Sequence, residues 1–179
     1  HTRMPVRSIE QAPDVKGVHV LVRASLNVPI VGGVVANPFR LEAAMKTINF
    51  LRARGARTVL LSHIDGELGA SLAPVAAYLQ QHTPLTFVDD IVGPRAREAV
   101  KNMKDGDVVM LENVRRDVGE QKNDEQFARA LAAMGDIFVN DDFAAAHRVH
   151  ASIVGVPKYL PSYAGLQFMA EVAGLTPAL

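Results

Sequence analysis

Polar side chains that could hold an anion recur just after short apolar runs of the sequence. They are Arg23, Asn27, His63, Arg115, Asn140, Asp141, His147, Arg148 and His150. Guanidinium groups match the geometry of phosphate and carboxylate oxygens, and imidazole can add a further hydrogen-bond donor. These residue types in this placement indicate a site for a small anionic ligand.

Arg40 is a separate candidate because it falls in the first turn of a predicted helix. Asn37 can cap the free amides of that helix, and Pro38 suits the first helical position. A cation there opposes the positive end of the helix dipole by a few tenths to about 1 kcal/mol. Since a bound anion would remove this conflict, Arg40 joins the candidate site.

Each candidate also has a simpler interpretation when it is taken alone. A lone arginine is more often a surface side chain or an ion-pair partner. His63 is equally well explained as a hydrogen-bonded loop residue, and Asp89 and Asp90 as a solvated turn. Charged residues scattered at random over a surface would not be expected to follow three strands and to begin one helix. The candidate residues taken together therefore favour anion binding.

The elements that must position these residues alternate between β-branched runs and helical patterns. Strands are predicted at 19–23, 58–62, 85–88, 108–111 and 137–140. Their nearly continuous apolar character is typical of parallel strands that helices cover on both faces. The sequence therefore predicts a single Rossmann-like, doubly wound α/β domain with three layers. In such a sheet, ligands bind beyond the carboxyl ends of the strands, where the candidates fall.

Five helices are predicted to cover this sheet, at 38–54, 71–81, 94–103, 123–134 and 167–175. The first has one apolar stripe, formed by Leu41, Met45, Ile48 and Leu51. The fourth is predicted to begin at Asn123, with Gln126 three residues later completing a capping-box-like pair.

Composition narrows the classes of function. The 179 residues carry 19 Lys and Arg against 19 Asp and Glu, which leaves no overall field to attract nucleic acid or an anionic membrane. Cysteine is absent, which excludes disulfides and thiolate metal sites. Neither a long apolar run nor a signal-peptide pattern is present. We expect a cytoplasmic protein without a nucleic-acid or membrane partner.

The sequence also lacks the two usual nucleotide fingerprints, G-x-x-x-x-G-K-[ST] and G-x-G-x-x-G. The two histidines His147 and His150 stand three apart, but without matched carboxylates they make a poor metal site. We therefore expect neither a cofactor nor a metal within this chain.

Several motifs, taken in order, resemble the N-terminal half of phosphoglycerate kinase. They are VLVRASLNVP from Val20, LLSH from Leu60, SLAPVA from Ser71, FVDDIVG from Phe87, LENVR from Leu111, GEQKND from Gly119 and VNDDFAAAHRVHAS from Val139. The resemblance implies a two-domain glycolytic enzyme that transfers phosphate between 1,3-bisphosphoglycerate and ADP, forming 3-phosphoglycerate and ATP. The N-terminal half of this family holds the phosphoglycerate.

The same resemblance implies roles for individual residues. The substrate-binding positions would be Arg23, Asn27, Arg40, His63, Arg115 and Arg148. Arg40 would also be catalytic, because a pre-placed cation best neutralises the charge on a transferring phosphoryl group. Mg-ATP or ADP would bind to the other, nucleotide-binding domain.

Two motifs depart from the family pattern. The family's first loop usually reads R-x-D-x-N, but Ser25 stands here where its aspartate belongs. The family's S-H-x-G-R becomes SHIDG, so that Asp65 and Gly66 occupy the last two positions. Charge-assisted hydrogen bonds contribute about 1.5 to 3 kcal/mol each, so these losses predict binding weakened by roughly two to four decades if they add.

We predict three segments: a lead at 1–14, a phosphoglycerate-binding domain at 15–166, and the start of an interdomain helix at 167–179. The first three residues resemble the remnant of an expression tag. Without its nucleotide-binding domain, the chain is expected to be inactive. Two other functions stay open, a degenerate or engineered non-catalytic scaffold and an independent nucleotide-binding module.

Overall fold

The computed structural model describes residues 7–67 and 69–175. At its centre lies a six-stranded sheet in which every pair of neighbouring strands is parallel. The order across this sheet is β5-β6-β4-β1-β7-β8, and β2 pairs with β3 in a separate hairpin. The strands are β1 His19–Arg23, β2 Ile30–Val31, β3 Val34–Val35, β4 Arg57–Leu61, β5 Thr86–Val88, β6 Val108–Leu111, β7 Ile137–Asn140 and β8 Ser162–Ala164.

Within the described residues, six α-helices accompany the strands: α1 Phe39–Ala53, α2 Ala73–Gln80, α3 Pro94–Lys101, α4 Val118–Gln121, α5 Glu125–Ala132 and α6 Leu166–Leu175. The side chains of β1 alternate between two apolar clusters, with Val20 and Val22 in the cluster that α1 and α2 cover. Leu21 faces the other cluster, which α3 and α5 cover. The predicted doubly wound α/β fold is therefore confirmed. None of the helices in the described ranges is long and apolar enough to cross a membrane.

The register of the three central strands brings their carboxyl ends level. Arg23, the last residue of β1, lies opposite Leu61 of β4 and Asn140 of β7. The ladder continues one step beyond β1, where the amide of Ala24 donates to the carbonyl of Leu61 at 2.8 Å. The loops that follow β1, β4 and β7 thus leave the sheet at one edge.

Helix α1 packs on the sheet as its sequence pattern predicts. Leu41, Ile48 and Leu51 are fully buried, and Met45 packs against the same cluster. The side chain of Asn37 accepts the amide proton of Phe39 at 3.2 Å, although Pro38 lies just before the helix rather than inside it. This capping places the first turn of α1 beside the loop after β1.

The helix α5 begins differently from the prediction. Its cap is Asp124, whose carboxylate accepts the amide proton of Phe127 at 2.9 Å. Asn123 instead adopts a left-handed backbone conformation with φ of 50°. The predicted pairing of Asn123 with Gln126 is therefore wrong, because the turn at Asn123 moves the start of the helix one residue onward.

Four of these strands and helices had no prediction: β2 and β3, which form the hairpin, the helix α4 and the edge strand β8. Each has four residues or fewer, which is too short for a periodic pattern to be read. The packed structure also begins before residue 15, since Ile9 is 2% exposed within the core. The domain limits stay a prediction, and the suggested tag residues lie outside the described part of the chain.

The start of α5 can be tested by replacing its cap. We expect Asp124→Ala to lower the free energy of unfolding by about 1 kcal/mol, because the amide of Phe127 would lose its acceptor. The control is Gln126→Ala, an exposed position in the same turn. Urea unfolding of both variants measures the difference, and an equal or larger loss for Gln126→Ala would contradict the assigned cap.

Candidate anion-binding site

Arg23 ends the central strand β1 and is completely buried. Its Nε donates to Oγ of Ser152 at 2.8 Å, and one terminal nitrogen donates to Oδ2 of Asp142 at 3.0 Å. The other terminal nitrogen donates to Nδ1 of His63 at 2.7 Å and lies 3.9 Å from a carboxylate oxygen of Glu120. A buried charge is tolerated when such partners surround it, so Arg23 is held in one position.

Glu120 connects this arginine to the last loop of the site. It lies in α4 and is fully buried, and it accepts hydrogen bonds from both the amide and the hydroxyl of Ser152. Burial lowers the pKa of Arg23, while the carboxylates of Asp142 and Glu120 act in the opposite direction. The loops after β6 and β7 are therefore tied together through one guanidinium group. Glu120 was not predicted as a site residue, although it lies in the GEQKND motif.

His63 follows β4 and is 5% exposed. Because arginine can only donate, Nδ1 of His63 must accept the hydrogen bond from Arg23, and the ring proton is then on Nε2. Burial lowers the pKa of His63 to about 3, and the charges of Arg23 and Arg115 add to the effect. His63 is therefore a neutral donor rather than a cation.

Asp65 lies between two predicted ligand-binding residues, Asn27 and Arg115. The side-chain nitrogen of Asn27 donates to Asp65 at 2.8 Å, and its oxygen accepts the amide proton of Asp65 at 2.9 Å. One terminal nitrogen of Arg115 forms an ion pair with the same carboxylate. Burial raises the pKa of Asp65, but the bond from Asn27 and the charge of Arg115 outweigh it, so the pKa lies below its usual value.

The rest of the Arg115 guanidinium has buried donors. Its Nε and second terminal nitrogen are buried and meet no hydrogen-bond partner among the described residues.

Nδ1 of His150 is likewise buried and meets no hydrogen-bond partner among the described residues. Burial lowers the pKa of His150, and the charges of Arg115, Arg148 and Arg23 add to this shift, while the charge of Glu120 opposes it. The sequence places His150 among the candidate residues for anion binding but gives it no specific role. The sequence signal that pointed to it is its position two residues after Arg148.

Arg40 and Arg148 are the exposed cations of the cluster. Arg40 donates to the carbonyl oxygen of Asn27 at 3.0 Å and lines a cleft of about 780 Å³ together with Asp65. Arg148 lies close enough for its charge to lower the pKa of His63. The structure thus brings all six predicted binding residues to one edge of the sheet, although Arg23 lies beneath the surface.

The two altered family positions also border this edge. Ser25 is 9% exposed and lines a cavity of about 180 Å³ beside Arg40 and Asp141. Gly66 follows Asp65 and lines the larger cleft. A short hydroxyl therefore faces the smaller cavity, and no side chain extends from position 66 into the larger one.

Asp141, directly after β7, anchors the last helix of the described chain. Its carboxylate accepts the amide proton of Phe168 at 3.1 Å and lies where any side chain on Gly165 would collide with it. Burial raises the pKa of Asp141 to about 6, although the bonds from Phe168 and Thr47 act against the shift. The first turn of α6 is therefore attached to the same strand end as the site.

The charges of the cluster favour an anionic ligand. Asp142 and Glu120 bring two negative charges to the one positive charge of Arg23, and Asp65 balances Arg115. Within residues 7–67 and 69–175, neither Arg40 nor Arg148 forms an ion pair with a carboxylate. In the same part of the chain, no group of three or more His, Asp or Glu could hold a metal ion. A parallel α/β sheet with cations at its carboxyl edge is typical of proteins that bind small anionic ligands there.

Comparison with known proteins identifies the family. The phosphoglycerate kinase family model matches residues 9–179, so the chain belongs to this family. Phosphoglycerate kinase of Caulobacter vibrioides is 49% identical over 185 residues, covering 98% of this chain and 46% of the relative. That of Methylorubrum extorquens is 43% identical over 180 residues, covering 97% and 45%. The chain thus spans about half the length of these relatives.

Solved structures give the same result for the fold. The structure of phosphoglycerate kinase from Coxiella burnetii is similar with a TM-score of 0.83 and 33% identity, over 94% of this chain and 43% of that one. The crystal structure of phosphoglycerate kinase from Pyrococcus horikoshii OT3 is similar with a TM-score of 0.87 and 28% identity, over 94% and 44%.

The neutral state of His63 can be tested by NMR. Because its pKa is lowered to about 3, we expect the ring to keep Nε2–H and show no titration between about pH 5 and 8. The urea-unfolded chain, in which histidine has a pKa of about 6.5, is the reference. The unfolded state then binds more protons, so His63 makes folding less favourable as the pH falls below about 6.5. A folded-state titration of His63 near that value would contradict the assignment.

Proposed function

We propose that this chain is the phosphoglycerate-binding half of a phosphoglycerate kinase. It binds 3-phosphoglycerate or 1,3-bisphosphoglycerate, the substrates between which phosphate is exchanged with ADP and ATP in glycolysis. The observation that carries the proposal is the buried pair of free donors on Arg115, which lies beside neutral His63 at an edge rich in arginine. Because these two nitrogens are buried, the Arg115 side chain would have to turn towards the cleft, away from Asp65, for a phosphate or carboxylate group to satisfy them.

The binding residues divide into those that touch the ligand and one that positions them. Arg115, Arg148, Asn27 and the Nε2–H of His63 would hold the far phosphate and the carboxylate of the substrate. Arg23 is fully buried, so it would act through His63 rather than touch the ligand, in contrast to the role implied by the family resemblance. A fixed neutral donor stabilises an anion without adding another charge to a crowded cluster.

Arg40 is proposed as the catalytic residue. It is exposed at the beginning of α1 and borders both the larger cleft and the smaller cavity. Its hydrogen bond to the carbonyl of Asn27 holds it near the binding residues while leaving its other donors available. From there the guanidinium group would neutralise the charge that spreads over the oxygens of the phosphoryl group during transfer.

The nucleotide would be supplied from outside these residues. In the proposed enzyme, a nucleotide-binding domain would hold either Mg-ATP, which donates a phosphoryl group to 3-phosphoglycerate, or Mg-ADP, which accepts one from 1,3-bisphosphoglycerate. The metal would neutralise charge on the β- and γ-phosphates. On this proposal the 179 residues are inactive or nearly so by themselves, and they act in the cytoplasm with that domain as their partner.

A non-catalytic binding or scaffold domain is a second candidate. The observation that favours it is Asp65, whose carboxylate already occupies donors of Asn27 and Arg115. Ser25 also offers a hydroxyl where the family pattern has an aspartate. In this interpretation the family fold persists while substrate binding has been lost.

Titration with 3-phosphoglycerate separates the two candidates. We expect calorimetry or chemical shifts to detect binding at millimolar ligand, and Arg148→Gln to weaken it about ten- to hundredfold, because one charge-assisted contact is lost. The matched control is Arg54→Gln, an exposed arginine at the far end of α1, roughly 20 Å from Arg40. The absence of any response from the folded chain would overturn the binding proposal.

A coupled assay tests the catalytic part of the proposal. We expect no turnover of 3-phosphoglycerate and Mg-ATP by the 179 residues alone. Turnover should appear when they are joined to the nucleotide-binding half of the Caulobacter vibrioides relative, and Arg40→Gln should then lower kcat more than it changes KM. A joined protein that folds but shows no turnover would favour the scaffold.

A further inference from the structure

Asp65 occupies the anion site much as a bound carboxylate would. One of its oxygens accepts from Asn27 at 2.8 Å, and the other pairs with a terminal nitrogen of Arg115. Its own amide donates back to Asn27 at 2.9 Å, so the residue is held through both main chain and side chain. These donors are among those assigned above to the phosphoglycerate.

The engagement of Arg115 is only partial. Its side chain is 15% exposed, whereas that of Asp65 is 60% exposed and can move towards solvent. Two donors of Arg115, Nε and the second terminal nitrogen, find no acceptor in the described part of the chain. A single aspartate therefore pairs with one nitrogen and leaves the remainder of the guanidinium unsatisfied.

The backbone after Asp65 supports this arrangement. Gly66 has a φ of +143°, which favours glycine because other residues meet a steric penalty there. The turn at Gly66 directly follows Asp65, whose amide and carboxylate both face Asn27. At positions 65 and 66, aspartate thus supplies the charge, and glycine accommodates the turn that follows it.

We propose that Asp65 is an internal counter-ion that a ligand must displace from Asn27 and Arg115, and that it thereby sets the affinity and selectivity of the site. The proposal rests on the function proposed above and names a regulating residue within that site. Only an anion that satisfies more donors than one carboxylate can replace Asp65. This requirement favours a phosphate or a ligand with two anionic groups over a simple monocarboxylate.

The cost of displacing Asp65 depends on two populations: the molecules in which Asp65 is bonded to Asn27 and Arg115, and those in which it leaves these donors free. If Asp65 leaves the donors free for about one tenth of the time, the apparent affinity for a ligand falls about tenfold. The tether keeps the carboxylate at a high effective concentration, so free ligand competes with it at a disadvantage. Removing the carboxylate should restore the intrinsic affinity of the remaining donors.

The experiment compares the 179-residue chain with Asp65→Ala and Asp65→Asn in titrations with inorganic phosphate and with 3-phosphoglycerate. Asp65→Asn removes the charge while nearly preserving the shape. The matched control is Glu67→Gln, an exposed position that lines the same cleft but whose side chain has no polar partner in the described structure, so it removes a charge without freeing a donor. Both Asp65 variants should bind phosphate about tenfold tighter or more, and the control should match the parent chain.

The outcomes separate the two proposals. If the parent chain binds and the Asp65 variants bind no tighter, or if Glu67→Gln tightens binding equally, the counter-ion proposal fails while the binding function stands. If only the Asp65 variants bind, the counter-ion proposal is supported and binding by the parent chain is overturned. If none of the folded proteins binds, both proposals are overturned.

A second measurement follows the partner of Asp65 directly. The side-chain amide signals of Asn27 in the parent chain should shift as phosphate is added, because the bond to Asp65 is broken. The signals in Asp65→Ala should already lie displaced from those of the unliganded parent. Asn27 signals that stay unchanged while phosphate binds would overturn the proposal, since the ligand would then be binding without displacing Asp65.

Discussion

The structure depends on one buried cation. Arg23 ends the central strand of the sheet, where burial removes water from its guanidinium group. Two carboxylates, a hydroxyl and an imidazole must therefore surround it, or the charge would carry a large desolvation penalty. These partners come from the loops after β4, β6 and β7, so the need to satisfy one side chain orders three loops at once.

The same interaction gives the site a rigid part and an adjustable part. His63 belongs to the rigid part, because Arg23 fixes both the orientation and the protonation of its ring. The pair of Asp65 and Arg115 belongs to the adjustable part, because Asp65 is mostly exposed. Water screens the exposed carboxylate, so the pair contributes little to stability, and a ligand can displace Asp65 at a cost of about tenfold in affinity.

This division explains how the chain keeps the family fold while departing from the family motifs. Asp65 and Gly66 border the cleft, where a substitution changes the surface of the candidate site without disturbing the core. Ser25 is more enclosed, yet it lines a small cavity rather than the network around Arg23. The buried contacts that order the loops are intact, so the altered positions change the surface of the candidate site rather than the core.

Much of this architecture was predictable from the sequence. The apolar runs identified the core strands, because a strand that is buried on both faces is apolar at nearly every position. The stripe identified α1, because a helix that is buried on one face is apolar at every third or fourth position. Because the carboxyl ends of parallel strands lie at one edge of a sheet, the candidate residues that follow them were predicted to lie together. Motif resemblance named the family, which the comparison with known proteins confirmed.

What only the tertiary structure decided is which partner each polar side chain meets. Arg23 bonds to Asp142 across 119 positions of sequence, and Asn27 bonds to Asp65 across 38. No local pattern encodes such pairs, because they depend on strand order, register and the path of each loop. The sequence could therefore place Arg23 and Asp65 near the site, but it could not show which groups they contact. Only the structure shows that Arg23 is buried beneath the site and that Asp65 is bonded to donors of Asn27 and Arg115.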